Sequence, residues 1–428
     1  MQTTLTRQRA APVDRSTDRR VALWSIAIAV AFLLVALASL LLPEATRRGL
    51  WLPVHLALTG AATTAIAGVM PFFVAAFAAA QPAPGPVRVA SVGGVAFGAL
   101  GVTAGVVSGA PVIAIAGGVV FIAGVGLVGV AVVQPIRRAL GPGRGLVVRG
   151  YIVALVFVAI GAMTATLFVA GWEPVAEAWP RLKVAHAWLN LVGFVSLVIA
   201  TTLIHFFPTT IGARIGSTSS GRATILGLAT GGALVPLGYA SGIDAIVRLG
   251  AVATILGVAG VVVYAADRWR NRASWTTDAA WHRFVIGGLI SAIAWFVVGI
   301  GIASVRAFTA GADPAGWAID AVAAPLVAGW VGLAVVASAS HLLPAVGPGD
   351  QPSHGLQRAL LGRGAWPRLI AANVGIALLS VGAWLDVTSM SALGAALTIA
   401  AFGATAALVA GAITIGARAD VRRRSAAA

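Results

Sequence analysis

The chain has 428 residues, of which 59% are hydrophobic and only 10% are charged, and its mean hydropathy is +0.96. This composition excludes a soluble globular domain and places the chain among membrane proteins. The net charge of +16 does not indicate a nucleic-acid-binding protein, because the basic residues are concentrated in a few of the segments between apolar runs. The chain contains no cysteine, which excludes disulfides, thiolate metal ligands and covalently attached haem.

Twelve apolar runs follow one another along the chain, each near the ~20 residues that a helix needs to cross a bilayer. They cover residues 22–43, 51–80, 88–108, 111–134, 147–170, 184–207, 222–240, 244–266, 281–305, 318–343, 368–385 and 391–416. Because lipid cannot satisfy backbone polar groups, each run is predicted to be a transmembrane helix. The sequence therefore predicts an all-α polytopic membrane protein, with a basic N-terminal tail (1–21), a membrane domain (22–416) and a basic C-terminal tail (417–428).

Lysine and arginine are distributed unevenly between the two predicted sides. With a cytoplasmic N-terminus, 23 of the 29 basic residues lie on the inner side and 6 on the outer side, which is the asymmetry typical of membrane proteins. Twelve spans return the chain to its starting side, so both termini are predicted to be cytoplasmic. We expect a multi-pass protein of the cell's inner (cytoplasmic) membrane, with the lipid bilayer and not nucleic acid as its partner.

An internal repeat divides the apolar runs into three groups of four. Gly60, Gly193 and Gly329, the template glycines, lie at offsets of 133 and 136 residues in the second, sixth and tenth runs. In the second and third copies a histidine follows twelve residues after the glycine and a proline fifteen residues after it. The repeat predicts four-helix units over about 22–146, 147–280 and 281–416, related by a pseudo-threefold axis. The second, sixth and tenth helices are expected near that axis.

Histidines are the candidate functional residues, because no Asp, Glu, Lys or Arg falls in the middle of a predicted span. His55 and His186 begin the second and sixth helices on the outer side, five and seven residues before their template glycines. The two-residue difference is about 200° of helix rotation, so we expect the two rings to face each other across one gap. Two neutral imidazoles from neighbouring helices can ligate haem iron. The alternative is that both are half-solvated interfacial residues.

Other polar residues of the spans allow two interpretations each. Asn190, one turn after His186, either orients the ring of that histidine or bonds to helix backbone. His205 and His341 share a template position before a proline, where they either end the helix at the inner interface or act as weaker inner-side metal ligands. His282 and His354 are interpreted as ordinary surface residues.

The arrangement resembles subunit I of the haem-copper oxidase superfamily, which has twelve helices in three pseudo-threefold units. The segments VHLALTGAATTAI, HAWLNLVGFVSLVIATTLIHFFPT and SHLLPAVG are most similar to the membrane domain fused to actinobacterial copper-containing nitrite reductases and multicopper oxidases. The resemblance covers essentially the whole chain. It implies a haem ligand on the second helix, where His55 stands, and a copper ligand on the sixth helix, where His186 stands.

The chain also departs from the oxidase pattern. In that family the tenth helix carries a His-x-His pair and the seventh an adjacent His-His pair. Here the outer half of the tenth run reads WAIDAVAAPLVAGW and the seventh run has no histidine. A complete oxygen-reducing binuclear site is therefore not expected. Nor do these 428 residues include the cupredoxin domain of the fused reductases, so the copper catalysis of those proteins is not carried over.

These observations predict a membrane protein that binds haem b through His55 and His186. Its expected role is electron transfer, or nitrogen-oxide and copper metabolism, with a redox partner such as a cupredoxin or multicopper protein. If the protein takes part in catalysis, it is expected to be an oxidoreductase component. The competing hypotheses are a cofactor-free permease or copper-handling protein, and a structural partner subunit.

Overall fold

A computed structural model describes residues 16–139, 145–216, 218–274, 280–317 and 319–427. Within these ranges the chain is helical and contains no strand, and twelve helices are long and apolar enough to cross a membrane. They are Arg20–Ser39 (α1), Trp51–Phe77 (α2), Gly85–Ser108 (α3), Pro111–Arg137 (α4), Gly145–Val169 (α5), Trp179–Thr210 (α6), Ser219–Ser241 (α7), Asp244–Arg270 (α8), His282–Ala310 (α9), Ile319–Val346 (α10), Ala365–Leu385 (α11) and Thr388–Arg423 (α12). The predicted all-α membrane fold with twelve spans is confirmed.

The two predicted tails lie partly outside the described residues. Residues 1–15 of the N-terminal tail are not among them, and neither is Arg144 of the basic loop between α4 and α5. At the other end, the helix that forms α12 continues to Ala427 and includes most of the predicted C-terminal tail. A further short helix, Gln351–Leu361, precedes α11 and is capped by Asp350, whose side chain accepts from the backbone N–H of Ser353.

Helices α2, α6 and α10 each contain a π-helical segment, at Leu56–Ala62, Leu189–Ser196 and Ala324–Gly332. Each segment includes one of the three template glycines. In the first two, the residue three positions after the glycine carries a hydroxyl that donates to the carbonyl oxygen five residues before the hydroxyl. Thr63 donates to Leu58 at 2.8 Å, and Ser196 donates to Leu191 at 2.7 Å. The repeat thus marks a shared irregularity of the backbone, of a kind frequently found at functional sites.

The template glycines also share a packing role. A Cβ atom added at any of them would overlap an aromatic side chain from the first helix of the same predicted unit. The pairs are Gly60 with Phe32, Gly193 with Phe157, and Gly329 with Trp295. Small residues let transmembrane helices approach closely, so each glycine allows an aromatic ring to pack directly on the backbone of the π segment.

The three π segments contact one another in all three pairings. Helices α2, α6 and α10 therefore meet, which supports the predicted position of these helices around a common axis. The third and fourth helices of each predicted unit pack through glycine pairs: Gly94 with Gly124, Gly227 with Gly257, and Gly375 with Gly394. The pseudo-threefold relation of the units remains a prediction.

Candidate functional site

The site of interest lies in the α2–α6 gap, which we define by His55 on α2 and His186 on α6. The centres of the two imidazole rings are 6.3 Å apart and their planes differ by 14°. Both side chains are half-buried. The structure therefore brings together the two residues whose two-residue offset predicted that they face each other.

Backbone carbonyls fix the orientation and tautomer of both rings. The Nδ1 atom of His55 lies 2.7 Å from the carbonyl oxygen of Trp51, and the Nδ1 atom of His186 lies 2.8 Å from that of Gly161 on α5. A carbonyl oxygen can only accept, so Nδ1 carries the proton and donates in both rings. Each Nε2 atom consequently keeps its lone pair. A histidine that ligates a metal through one ring nitrogen usually donates a hydrogen bond from the other ring nitrogen, often to a backbone carbonyl.

Aromatic side chains flank both imidazoles. The ring of Trp51 stacks on His55 with centres 4.1 Å apart, and the ring of Trp179 lies 6.3 Å from that of His186. Trp179 is itself stacked on Phe168 at 3.9 Å. These apolar faces limit the access of water to the two rings, which strengthens electrostatic and coordinate interactions in the gap.

Asn190 supports His186 through the backbone. Its Nδ2 atom donates to the carbonyl oxygen of His186 at 2.7 Å and lies 3.3 Å from the ring Nδ1 atom. Since that Nδ1 atom is protonated and donates to the carbonyl of Gly161, it cannot accept from Asn190, and the contact between them is not a hydrogen bond. A Cβ atom at Gly161 would lie 2.5 Å from Asn190 Nδ2, so a glycine is needed for α5 to approach this side chain.

The α2–α10 gap, on another side of α2, is different. It contains a cavity of about 770 Å³, lined by α1, α2, α10 and α12 together with parts of α6 and α11 and the segment between α1 and α2. Pro53, Val54 and Ala57 of α2 line it, and no histidine is among the described residues that do. Unlike these three residues, His55 does not line the cavity, and its ring lies beside α6. The reason is the position of His55 on α2, on a face other than that of Val54 and Ala57.

The α6–α10 gap is filled by tryptophans. Trp330 of α10 is fully buried and donates from Nε1 to the hydroxyl of Ser196 on α6 at 2.9 Å. Trp188 of α6 meets Trp317 edge to face, with ring centres 5.5 Å apart. The first contact joins the two helices directly, and the second joins α6 to the segment that precedes α10.

The inner-side histidines have separate aromatic neighbours. The ring of His205 packs on Phe77 at 4.4 Å, and that of His341 meets Phe206 edge to face at 5.4 Å. Groups of three or more side chains able to hold a metal are absent from the described part of the chain. An inner-side metal role of His205 and His341 stays a hypothesis.

The prediction that His282 is a surface residue was wrong. Its side chain is only 9% exposed, because the start of α9 packs against the short helix Gln351–Leu361. His282 and Arg358 of that helix also interact electrostatically with His341. His354 is half-buried.

Sequence reasoning missed two residues that position the histidines. Trp51 stands four residues before His55, a spacing at which helical side chains touch, so its ring contact was open to prediction. Gly161 lies on a different helix, 25 residues from His186, and no pattern within one segment connects the two.

Comparison with known proteins identifies the fold of this chain. No family model matches the chain, and no curated protein matches it. Among solved structures it is similar to a haem-copper terminal oxidase, determined as a dimer by cryo-electron microscopy, with a TM-score of 0.64 and 13% identity over 92% of this chain and 84% of that chain. The chain has the fold of a haem-copper terminal oxidase. At this identity the likeness concerns the fold alone.

The oxidase-like fold does not by itself assign chemistry to this chain. What this chain adds is a pair of neutral imidazoles, oriented by backbone carbonyls and flanked by aromatic rings, between α2 and α6. Such a pair can bind a metal ion, or the iron of a haem, with one imidazole on each side of the metal.

Proposed function

We propose that this protein binds a haem b in the membrane through His55 and His186 and passes electrons to or from a partner protein. The observation that carries the proposal is the pair of neighbouring, nearly parallel imidazoles, in each of which Nδ1–H donates to a carbonyl and Nε2 keeps a lone pair for a metal. Haem iron in helical proteins takes histidine ligands of this kind. The oxidase-like fold is consistent with such a group.

The separation of the rings fits one metal between them. The ring centres are 6.3 Å apart. Two metal–nitrogen bonds of about 2.0 Å each would take up about 4 Å of this distance. The remaining ~2 Å is about the sum of the distances from each ring centre to its own Nε2 atom. A haem would supply one-electron redox chemistry here. The residues of the chain hold the ligands: the carbonyls of Trp51 and Gly161 keep Nδ1 protonated, and the rings of Trp51 and Trp179 limit water.

With His55 and His186 both holding the iron, no ligand position would be left for oxygen, and the haem would supply electron transfer. The sequence of α7 contains no histidine, and the outer half of α10 contains none, so no oxygen-reducing site is assigned. Because the site lies near the start of α2 and within the first turns of α6, its redox partner would dock on the predicted outer face. A cupredoxin or multicopper protein is the class of partner we propose.

A copper-handling protein is the second candidate, and one observation favours it. The 770 Å³ cavity is lined by neither His55 nor His186, and the ring of Trp51 covers one face of His55. A single copper ion needs two imidazoles and little space, whereas a haem needs room for its macrocycle. Imidazole nitrogen suits both metals.

An absorption spectrum of the purified full-length protein, with metal analysis, tests the proposal. We expect a Soret band and, after reduction with dithionite, an α band, with one iron per chain. A featureless visible spectrum with bound copper would favour the copper-handling function. A preparation that holds neither metal, even after expression with added haem precursor and copper, would leave the permease hypothesis.

A further inference from the structure

The cavity in the α2–α10 gap is long and narrow. Its lining extends from Ile26 of α1 to Leu40, in the turn directly after that helix, and on α12 from Thr388 to Val409. At about 1.5 Å per residue these stretches rise ~21 Å and ~32 Å, comparable with the ~30 Å of a bilayer's hydrocarbon core. The volume of about 770 Å³ lies in the range of ligand sites. The shape suits an extended chain better than a compact molecule.

The walls of this cavity are apolar through its middle. Alanine, valine, leucine and isoleucine supply most of the lining, among them Ala57, Ala61, Ala328 and Ala395. A polar occupant would lose its hydrogen bonds to water without replacement, which costs several kcal/mol per group. The part of an occupant that fills the middle must therefore be hydrocarbon.

Charged residues stand at the predicted outer mouth. Glu44, Arg47 and Asp320 all line the cavity there. Arg47 donates from Nη1 to the carbonyl oxygen of Gly49, while its Nε atom is buried and has no hydrogen-bond partner among the described residues. A guanidinium has five N–H donors, and those that remain to Arg47 match an anionic oxygen such as that of a phosphate. Glu44 and Asp320 at the same mouth are exposed carboxylates, which match a cation.

We propose that the cavity binds one zwitterionic phospholipid with an ethanolamine headgroup. An acyl chain fills the apolar shaft, a phosphate oxygen accepts from the guanidinium of Arg47, and the ammonium group lies by Glu44 and Asp320. An anionic headgroup without an ammonium would leave these two carboxylates facing negative charge, so a purely anionic lipid is disfavoured. The site is separate from the His55–His186 pair, neither of which lines it.

Native mass spectrometry of the full-length protein tests the headgroup. The protein is exchanged into detergent with equal amounts of phosphatidylethanolamine and phosphatidylglycerol of identical chains. We expect one retained lipid per chain, with the ethanolamine lipid strongly preferred. Arg47→Gln should weaken retention about tenfold, the effect of losing a charge-assisted hydrogen bond. The neighbouring Arg48→Gln, at an exposed residue that does not line the cavity, should leave retention unchanged.

A second pair of variants tests the shaft. Ala395 lines the cavity, whereas Ala396, next to it on α12, is exposed and does not. Ala395→Phe should reduce retention several-fold and Ala396→Phe should not, with both variants eluting like the wild type. Equal retention in the two variants, a preference for phosphatidylglycerol, or a different co-purified lipid such as an isoprenoid quinone would overturn the proposal. Haem or copper content should be the same in all four variants, which separates this test from that of the metal site.

Discussion

The α2–α6 and α2–α10 gaps flank the same helix and differ in almost every respect. The first holds two imidazoles 6.3 Å apart under tryptophan rings, and the second is an apolar cavity of about 770 Å³ without a histidine among its described lining residues. Yet the cavity is lined by residues of the π segment of α2, and His55 directly precedes that segment. The difference shows that the oxidase-like fold provides the gaps, whereas a few side chains decide what each gap can hold.

The α6–α10 gap completes the comparison. There Trp330 stacks on Phe296 of α9 with ring centres 4.2 Å apart and bonds to Ser196 across the gap. Large buried rings thus occupy the space that remains open in the α2–α10 gap. Three junctions between similar helices have three different contents: two imidazoles, buried tryptophan rings, and a cavity.

Removing either histidine of the α2–α6 gap should have the largest effect of any single change. On the proposed assignment, His55→Ala or His186→Ala would delete one of the two histidines that hold the haem, and a haem held by one neutral imidazole in an otherwise apolar gap would bind far more weakly. We expect loss of the bound haem, seen as loss of the Soret band per mole of purified protein.

The control substitutions lie on the inner side. His354→Ala should leave the spectrum intact, and so should His282→Ala, provided that the variant folds, because His282 is buried. A Soret band that survives in both His55→Ala and His186→Ala would place the haem elsewhere and would remove the contrast between the two gaps.

Much of this architecture was predictable from the sequence, for physical reasons that can be named. Apolar runs of bilayer length specify helices, because no other structure satisfies the backbone in lipid. The repeat of Gly60, Gly193 and Gly329 predicted equivalent segments, and all three lie in π-helical turns that contact one another. The convergence of His55 and His186 followed from helical rotation alone.

Other features depend on contacts between segments that no local pattern encodes. A π turn differs from an α turn by one residue, and the glycine repeat did not indicate which form the backbone takes. The carbonyl of Gly161 reaches His186 from another helix. The α2–α10 cavity is a volume left between several helices, and a list of apolar residues does not show whether their side chains meet. The burial of His282 likewise depends on a neighbouring helix.

A methyl group at the template position of α10 should have the next largest effect. A Cβ atom at Gly329 would lie 2.5 Å from Cβ and Cγ of Trp295, so Gly329→Ala forces the helices apart. We expect destabilisation of about 3 kcal/mol, measured as a lower thermal unfolding midpoint in detergent. In Gly126→Ala the new methyl group meets nothing within 4 Å, and an unchanged or higher midpoint is expected. Equal midpoints in the two variants would refute the packing role of the template glycine.

Loss of the hydrogen bond across the α6–α10 gap should have a smaller effect. Ser196→Ala removes the acceptor of the buried indole N–H of Trp330, at an expected loss of about 1 kcal/mol. The matched control is Ser108→Ala, since the exposed Ser108 bonds only to carbonyls of its own helix. A Ser196→Ala protein as stable as this control would mean that ring packing alone closes the gap.

The smallest effect should come from added bulk in the α2–α10 gap. Ala395 lines the cavity, so the larger side chain in Ala395→Leu enters open space or displaces lipid, and the unfolding midpoint should change by the equivalent of no more than about 0.5 kcal/mol. On the same helix Ala412 is fully buried and its carbonyl accepts from Gln357. Ala412→Leu has no such space and should cost about 1–3 kcal/mol. Because the two variants make the same chemical change on one helix, their difference reports local packing. If both were equally destabilising, the gap would be closed in solution, and the contrast with the histidine-bearing gap would lie in side-chain chemistry alone.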